Sequence, residues 1–388
     1  MRVLVVAPQP FFTPRGTPLS VYHRTRIAAE LGAQIDFLTY GEGKDVDLEG
    51  VRIIRIPRMR LLEPVRVGPS FAKLVLDVLV LGWTIGLLMR GKYDVVHAHE
   101  EAVFFCALLK PLFGFKLVYD MHSSLPQQLS NFGFTRSRLL IGLFERLEAA
   151  SLRAADAVIT ISPALAEYAV AQLGSGERHT LIENTLFDPV RLRDDGPSAQ
   201  KPVAPPPAGV PIVAYAGTLE AYQGIDLLLE AHARVVERVP EAVLLIVGGS
   251  DEQVARYSAT ASRLGLDGSC RLTGYLPQEQ ARALVRSATV VVSPRTRGDN
   301  TPLKVYEILA EGPPLVATRI PSHTQVLSDE VCFLAEPDPE AFAKAIVSAL
   351  ESPERRARVT ASARELYQAR YSPESYRAKM QRVMAQLG

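Results

Sequence analysis

Short runs of valine, isoleucine and leucine alternate with longer helical stretches, and this rhythm occurs twice along the 388 residues. In the first half, residues 2–7, 34–39, 51–56, 94–97, 116–119 and 157–161 read as strands, and 19–31, 71–90, 101–113, 136–154 and 163–173 as helices. The strands are rich in β-branched residues without polar alternation, the pattern of a parallel sheet buried on both faces. A strand, a helix and a further parallel strand imply a right-handed crossover, so the first half is expected to be a doubly wound α/β domain.

The rhythm then breaks and restarts. Between 187 and 211 the sequence turns to Asp-Pro, Asp-Asp-Gly-Pro-Ser and Pro205-Pro206-Pro207, which buries no core and reads as a linker stiffened by polyproline II. Beyond it, strands at 212–216, 243–247, 271–273, 290–293 and 315–318 alternate with helices at 224–239, 251–264, 277–288 and 301–311. Helical stretches at 339–351, 353–369 and 373–387 follow, the last two opened by Ser352-Pro353 and Ser372-Pro373. The expected division is a first domain over 1–186, the linker, a second domain over 212–370, and a terminal helix over 371–388 that returns to the first domain. Open parallel sheets carry their ligand loops at the carboxyl ends of the strands, so two facing copies imply an interdomain cleft.

Charge excludes one class of partner: 43 basic and 42 acidic residues leave a net +1, which gives no global attraction to nucleic acid. Cys106, Cys270 and Cys332 are odd in number, far apart and set in apolar runs. They read as buried thiols of a reducing compartment, which points to the cytoplasm, and not as a disulfide frame or metal site. The apolar run at the N-terminus is too short for a signal peptide and reads as the first strand. Residues 71–89 raise the membrane question. Lys73 and Asp77, four residues apart, argue against a spanning helix. Arg52, Arg55, Arg58, Arg60 and Arg66 lie just before this stretch, and bases beside apolar surface suit peripheral attachment to an anionic membrane, such as the inner face of the cell membrane. A buried crossover helix would demand the same apolar residues.

The chemistry concentrates in the stretch from Ser293 to Thr318, which contains Arg295-Thr296-Arg297-Gly298-Asp299-Asn300-Thr301-Pro302-Leu303-Lys304 and then Glu307. A strand, a polar loop and a helix opening on Thr-Pro point free amides at an anion, as a diphosphate requires. The spacing Asp299-x7-Glu307 resembles the acidic-x7-Glu motif of family 4 of the GT-B glycosyltransferases. The resemblance is carried further by Asp94-Val95-Val96-His97-Ala98-His99, Tyr119-Asp120-Met121-His122, Ala155-Asp156-Ala157-Val158-Ile159-Thr160, Gln223-Gly224-Ile225-Asp226, Val247-Gly248-Gly249 and Tyr371-Ser372-Pro373-Glu374. It implies the GT-B fold, two facing Rossmann-like domains, and a retaining transfer of a hexose from a nucleotide sugar such as a UDP- or GDP-sugar.

Within that resemblance, Asp299 meets the donor hexose, Glu307 the ribose, and amides around Asn300, Thr301, Pro302 and Leu303 the phosphates. Gly217 and Gly248 fall in donor-binding loops. The family's Arg and Lys for the diphosphate are replaced by Thr218 and Gln223, which leaves Lys304, Arg297 and Arg295 as candidate phosphate ligands. In the first domain, Gly16 belongs to the loop facing donor and acceptor, and His122 lies close to the donor sugar; His99 is a lesser candidate for an acceptor or structural role. The resemblance implies that the acceptor hydroxyl attacks on the face the nucleotide leaves, with a phosphate oxygen taking the proton. The enzyme's task is then to stabilise developing charge, with no carboxylate nucleophile. No metal or further cofactor is expected, and the acceptor is a glycan, a lipid-linked glycan or a small molecule. Two other readings fit less of the pattern: a silent sugar-nucleotide-binding protein, favoured by the missing cations, and a GT-B epimerase.

Overall fold

The computed structural model describes residues 1–13, 16–65, 70–126, 137–184, 209–298 and 300–388. The chain divides into two compact units, Met1–Asp195 with Pro373–Gly388, and Gly196–Ser372.

The first unit contains β1 (Arg2–Ala7), α1 (Gly16–Glu30), β2 (Gln34–Thr39), β3 (Val51–Arg55), α2 (Phe71–Arg90), β4 (Val95–His99), α3 (Ala102–Phe113), β5 (Lys116–Met121), α4 (Arg138–Ala154), β6 (Ala157–Thr160), α5 (Pro163–Leu173) and β7 (His179–Leu181). The seven strands are parallel in the order β3-β2-β1-β4-β5-β6-β7. The order reverses between β1 and β4, where an open α/β sheet keeps its ligand crevice. Both faces are covered. Leu4, Val6, Val96, Ala98, Leu117 and Tyr119 pack against α2, α3 and α5. Val3, Val5, Val95 and Val118 pack on the other side with Phe37 and the terminal helix, through Tyr376, Met380 and Val383.

The second unit repeats the plan with β8 (Ile212–Ala216), α6 (Ile225–Arg238), β9 (Val243–Val247), α7 (Asp251–Arg263), β10 (Cys270–Leu272), α8 (Gln278–Arg286), β11 (Val290–Ser293), α9 (Leu303–Glu311), β12 (Leu315–Thr318), α10 (Pro321–Thr324), β13 (Phe333–Ala335), α11 (Pro339–Glu351) and α12 (Pro353–Arg370). Its parallel sheet runs β10-β9-β8-β11-β12-β13, with the reversal between β8 and β11. Helix α13 (Pro373–Gln386) then belongs to the first unit. Lys379 pairs with Glu183 at 2.8 Å and Arg377 with Glu30 at 2.7 Å.

Two expectations change. Lys73 and Asp77 do not pair with each other along α2. Lys73 reaches Glu101, with Glu100 at 3.6 Å, and Asp77 accepts a hydrogen bond from Tyr40. The arginine cluster is largely engaged within the protein. Arg52 pairs with Asp36 at 2.7 Å, Arg55 with Asp45 at 3.1 Å, and Arg58 holds Glu63 through two bonds of 2.7 and 2.8 Å. Arg66 lies outside the described residues, as do 187–208 of the expected linker.

Candidate active site

In the second unit Gly217, Gly248 and Lys304 converge on the carboxyl end of β8. Gly217 follows that strand and donates its amide to Val247 at 2.9 Å. A Cβ built on Gly248 would stand 2.1 Å from the Gly217 carbonyl oxygen, so only glycine lets the two loops approach. Next in the loop, Thr218 is exposed, and Gln223 Nε2 donates to its hydroxyl at 3.5 Å. Neither side chain brings a cation.

The cation at this point comes from α9. Lys304 reaches back across the strand end. Its Nζ donates to the Ala216 carbonyl at 3.2 Å and sits 3.9 Å from the centre of the Tyr215 ring. Burial, and secondarily the charge of Arg295, lower its pKa to about 7. Among the described residues no carboxylate pairs with it. An ammonium with no anion of its own, beside a glycine turn at a strand end, is suited to receive a phosphate.

One turn further along α9, Glu307 accepts an ion pair from Arg282 Nε on α8. Gly217, Lys304 and Glu307 line one pocket of about 240 Å³, closed on its far side by Ala281, Arg282 and Val285. Other candidates stand apart from that pocket. Thr301 is buried and accepts from Gln325 Nε2 at 3.0 Å, Pro302 caps α9, Leu303 begins it, and Asn300 and Arg297 are exposed. Arg295 Nη1 donates to the Asn300 carbonyl at 2.9 Å, and its guanidinium lies over Tyr222. Asp299 lies outside the described residues. Arg282 was not anticipated, because its link to Glu307 joins two helices and leaves no local pattern.

In the first unit, the two-residue period of a strand puts His97 and His99 on one face of β4. The register sets His99 beside Asp120, and His122 follows on the same side. His97 Nε2 lies 3.0 Å from Asp120 Oδ2, His122 Nε2 lies 3.3 Å from Oδ1, and His99 Nδ1 lies 3.1 Å from His122 Nε2. Arg24 of α1 completes the cluster, ion-paired to Asp120 with both side chains fully buried, while its second Nη donates to the Ile182 carbonyl at 2.7 Å. Burial alone would raise the Asp120 pKa, yet Arg24, His122 and His99 together hold it well below the usual carboxylate range. Burial pushes His122 down to about 4 and lowers His99 as well, so both rings are neutral at neutral pH. His122 Nδ1 and His99 Nε2 have no described partner and are the acceptors or donors left for a ligand.

The sequence spacing offered no metal-type cluster, but the fold assembles one, since ligand atoms of His97, His99 and Asp120 lie within 4.8 Å of one another. The fit to a cation is poor, because Arg24 already compensates the one carboxylate. Gly16 begins α1, and Pro14 and Arg15 before it lie outside the described residues.

Residues 16–185 match the glycosyl transferase 4-like domain and residues 198–366 match glycosyl transferases group 1. The chain belongs to the group 1 glycosyltransferases. It is 25% identical over 375 residues to the phosphatidyl-myo-inositol mannosyltransferase of Mycolicibacterium smegmatis, covering 94% of this chain and 89% of the relative. Its fold is that of the GT-B glycosyltransferases. A sucrose-phosphate synthase from Thermosynechococcus elongatus superposes with a TM-score of 0.73 at 22% identity, covering 100% of this chain and 98% of the other. Anabaena HepE, solved in complex with UDP-glucose, does so with a TM-score of 0.69 at 16% identity and 99% coverage of both.

Proposed function

We propose that this glycosyltransferase moves a hexose from a nucleoside diphosphate sugar to a hydroxyl of a membrane-associated acceptor, with retention at the anomeric carbon. The observation that carries the donor half is Lys304, an ammonium with no described carboxylate partner at the glycine turn where the usual diphosphate cations are replaced by Thr218 and Gln223. In this reading Lys304 and the amides opening α9 hold the diphosphate, Asp299 the hexose, and Glu307 the ribose, in the pocket it shares with Gly217. HepE, of the same fold, binds UDP-glucose, and the mycolicibacterial relative is named a mannosyltransferase acting on phosphatidyl-myo-inositol; both support a nucleotide sugar and a lipid acceptor here. A glycan acceptor is the narrower alternative.

His122, neutral and with Nδ1 free, is suited to hydrogen-bond a sugar hydroxyl without adding positive charge beside an oxocarbenium-like transition state. The donor serves as co-substrate, and no metal is called for where an ammonium and helix amides neutralise the leaving diphosphate. We place the enzyme in the cytoplasm, resting on the inner face of the membrane through α2, whose apolar outer face is exposed at Phe71, Leu74, Val78 and Met89.

A panel of UDP- and GDP-sugars tests the reading. One of them is expected to raise the melting temperature and to release nucleoside diphosphate slowly without acceptor, and an α-configured donor should give an α-configured product. Stabilisation by a sugar nucleotide with no release, with or without acceptor lipid, would instead identify a silent binder.

A further inference from the structure

Helices α2, α3 and α4 leave a groove of about 780 Å³ between them in the first unit, within the size range of small-ligand sites. Most of its lining is apolar, with Leu74 from α2, Phe104 and Leu108 from α3, and Phe144 and Leu147 from α4. Several of these are also exposed: Leu74 at 61%, Leu108 at 75% and Leu147 at 40%. Phe71 also lines the groove, and beyond it Val78 on α2, Leu112 on α3, and Leu139 and Leu143 on α4 are exposed as well. A soluble domain rarely exposes so continuous an apolar area without a ligand or an interface to cover it.

The charged residues of the groove, Lys73, Asp77 and Glu101, lie together at the end beside β4. Lys73 pairs there with Glu101 and Glu100, and Asp77 accepts from Tyr40. Desolvation, with the neighbouring charge of Glu101, raises Asp77 to about 7. Glu100 and Glu101 directly follow β4, so this end opens beside the strand terminus that carries His99. Three carboxylates surround one ammonium, a surrounding that repels a phosphate and accepts hydrogen bonds from hydroxyls.

We infer that this groove binds the hydrocarbon chain of the acceptor lipid, with a hydroxylated headgroup held at the Lys73–Glu101 end and directed toward the carboxyl ends of the strands. The inference rests on the lipid-acceptor reading above and adds the site, the orientation and the headgroup chemistry. A hydrocarbon chain fits better than a protein partner, because the exposed apolar residues lie on three neighbouring helices, one of which, α2, carries the surface we assign to the membrane.

Octyl, decyl and dodecyl glucoside, each below its micelle concentration, are the probes. Calorimetric affinity for the full-length protein should rise by up to about fourfold per added methylene until the chain outruns the groove. Leu108→Glu and Leu147→Glu, both at exposed positions, should abolish the dependence on chain length in variants that melt within a few degrees of wild type. Met89→Ser, on the same apolar surface outside the groove, should leave it intact. A slope unaffected by the two groove variants, or no slope at all, overturns the inference. So does a dimer in sedimentation that Leu108→Glu dissociates, which would give the groove to a second copy. Vesicle flotation of the same proteins separates the two readings. Flotation without a chain-length slope leaves the membrane reading standing and the groove refuted, and a slope without flotation does the reverse.

Discussion

At the scale of single residues, charge placement governs the account. Lys304 is held near a pKa of about 7 by burial, so the empty site carries a partly neutral amine, and a diphosphate restores the proton. Donor affinity should therefore fall as pH rises above about 7, by up to tenfold per unit. Lys304→Met should flatten that profile and weaken the nucleoside diphosphate more than the bare nucleoside. Equal losses for both ligands would remove Lys304 from the phosphate site. The sign for stability follows separately. Between about 7 and its ordinary value near 10.5 the unfolded state holds the extra proton, so in this window Lys304 makes the ligand-free protein more stable as pH rises. Asp120 acts in the other unit. Asp120→Asn leaves Arg24 buried without its counter-charge and should cost about 3–5 kcal/mol in urea unfolding, and a loss below 1 kcal/mol would contradict the cluster as described. Its depressed pKa, and those of His99 and His122, all make stability fall as pH drops: the histidines act from about 6.5 down to about 4 for His122, and Asp120 acts below its unfolded value.

Among the elements, the parallel strands were legible because short runs rich in valine, isoleucine and leucine, without polar alternation, recur between longer helical stretches. The ends of β4 and β5 were not. Both continue into polar residues, His99 and Asp120, which a hydrophobic pattern discounts and which the fold buries by pairing them with one another and with Arg24. Edge strands β7 and β13, three residues each, were not read from the sequence. In the site, Glu307 and Lys304 were singled out through the resemblance, Glu307 by its spacing from Asp299 and Lys304 as a cation near the replaced Thr218 and Gln223, whereas Arg282 and Arg24 come from elements distant in sequence. Helix α2 was readable as apolar but not as to which face is covered. It buries Leu76, Val80, Thr84 and Leu88 at four-residue steps, and only 22% of its apolar window is covered. Phe71 and Met89 are 76% and 74% exposed. Because Arg52, Arg55 and Arg58 are already ion-paired within the protein, we expect flotation with anionic vesicles to fade only partly in high salt. Phe71→Ser with Met89→Ser should reduce flotation severalfold. Unchanged flotation of that double variant would move the contact away from α2.

For the whole molecule, two doubly wound sheets that share one order over six strands each present a crevice where the order reverses, with the pocket we assign to the donor in one and the histidine cluster in the other. The duplication was visible in the sequence as a repeated rhythm, and the return of α13 to the first unit reflects Tyr376, Met380 and Val383 finding their apolar cover there. The central claim is that the pocket between α8 and α9 holds the nucleotide, with Glu307 on the ribose. Calorimetric titration of the preferred nucleoside diphosphate into wild type, Glu307→Ala and Glu307→Gln tests it most directly. A carboxylate accepting from ribose hydroxyls contributes about 1.5–3 kcal/mol per bond. Both variants should therefore bind at least about tenfold more weakly while melting within a few degrees of wild type, and affinities equal to wild type in folded variants would place the nucleotide elsewhere.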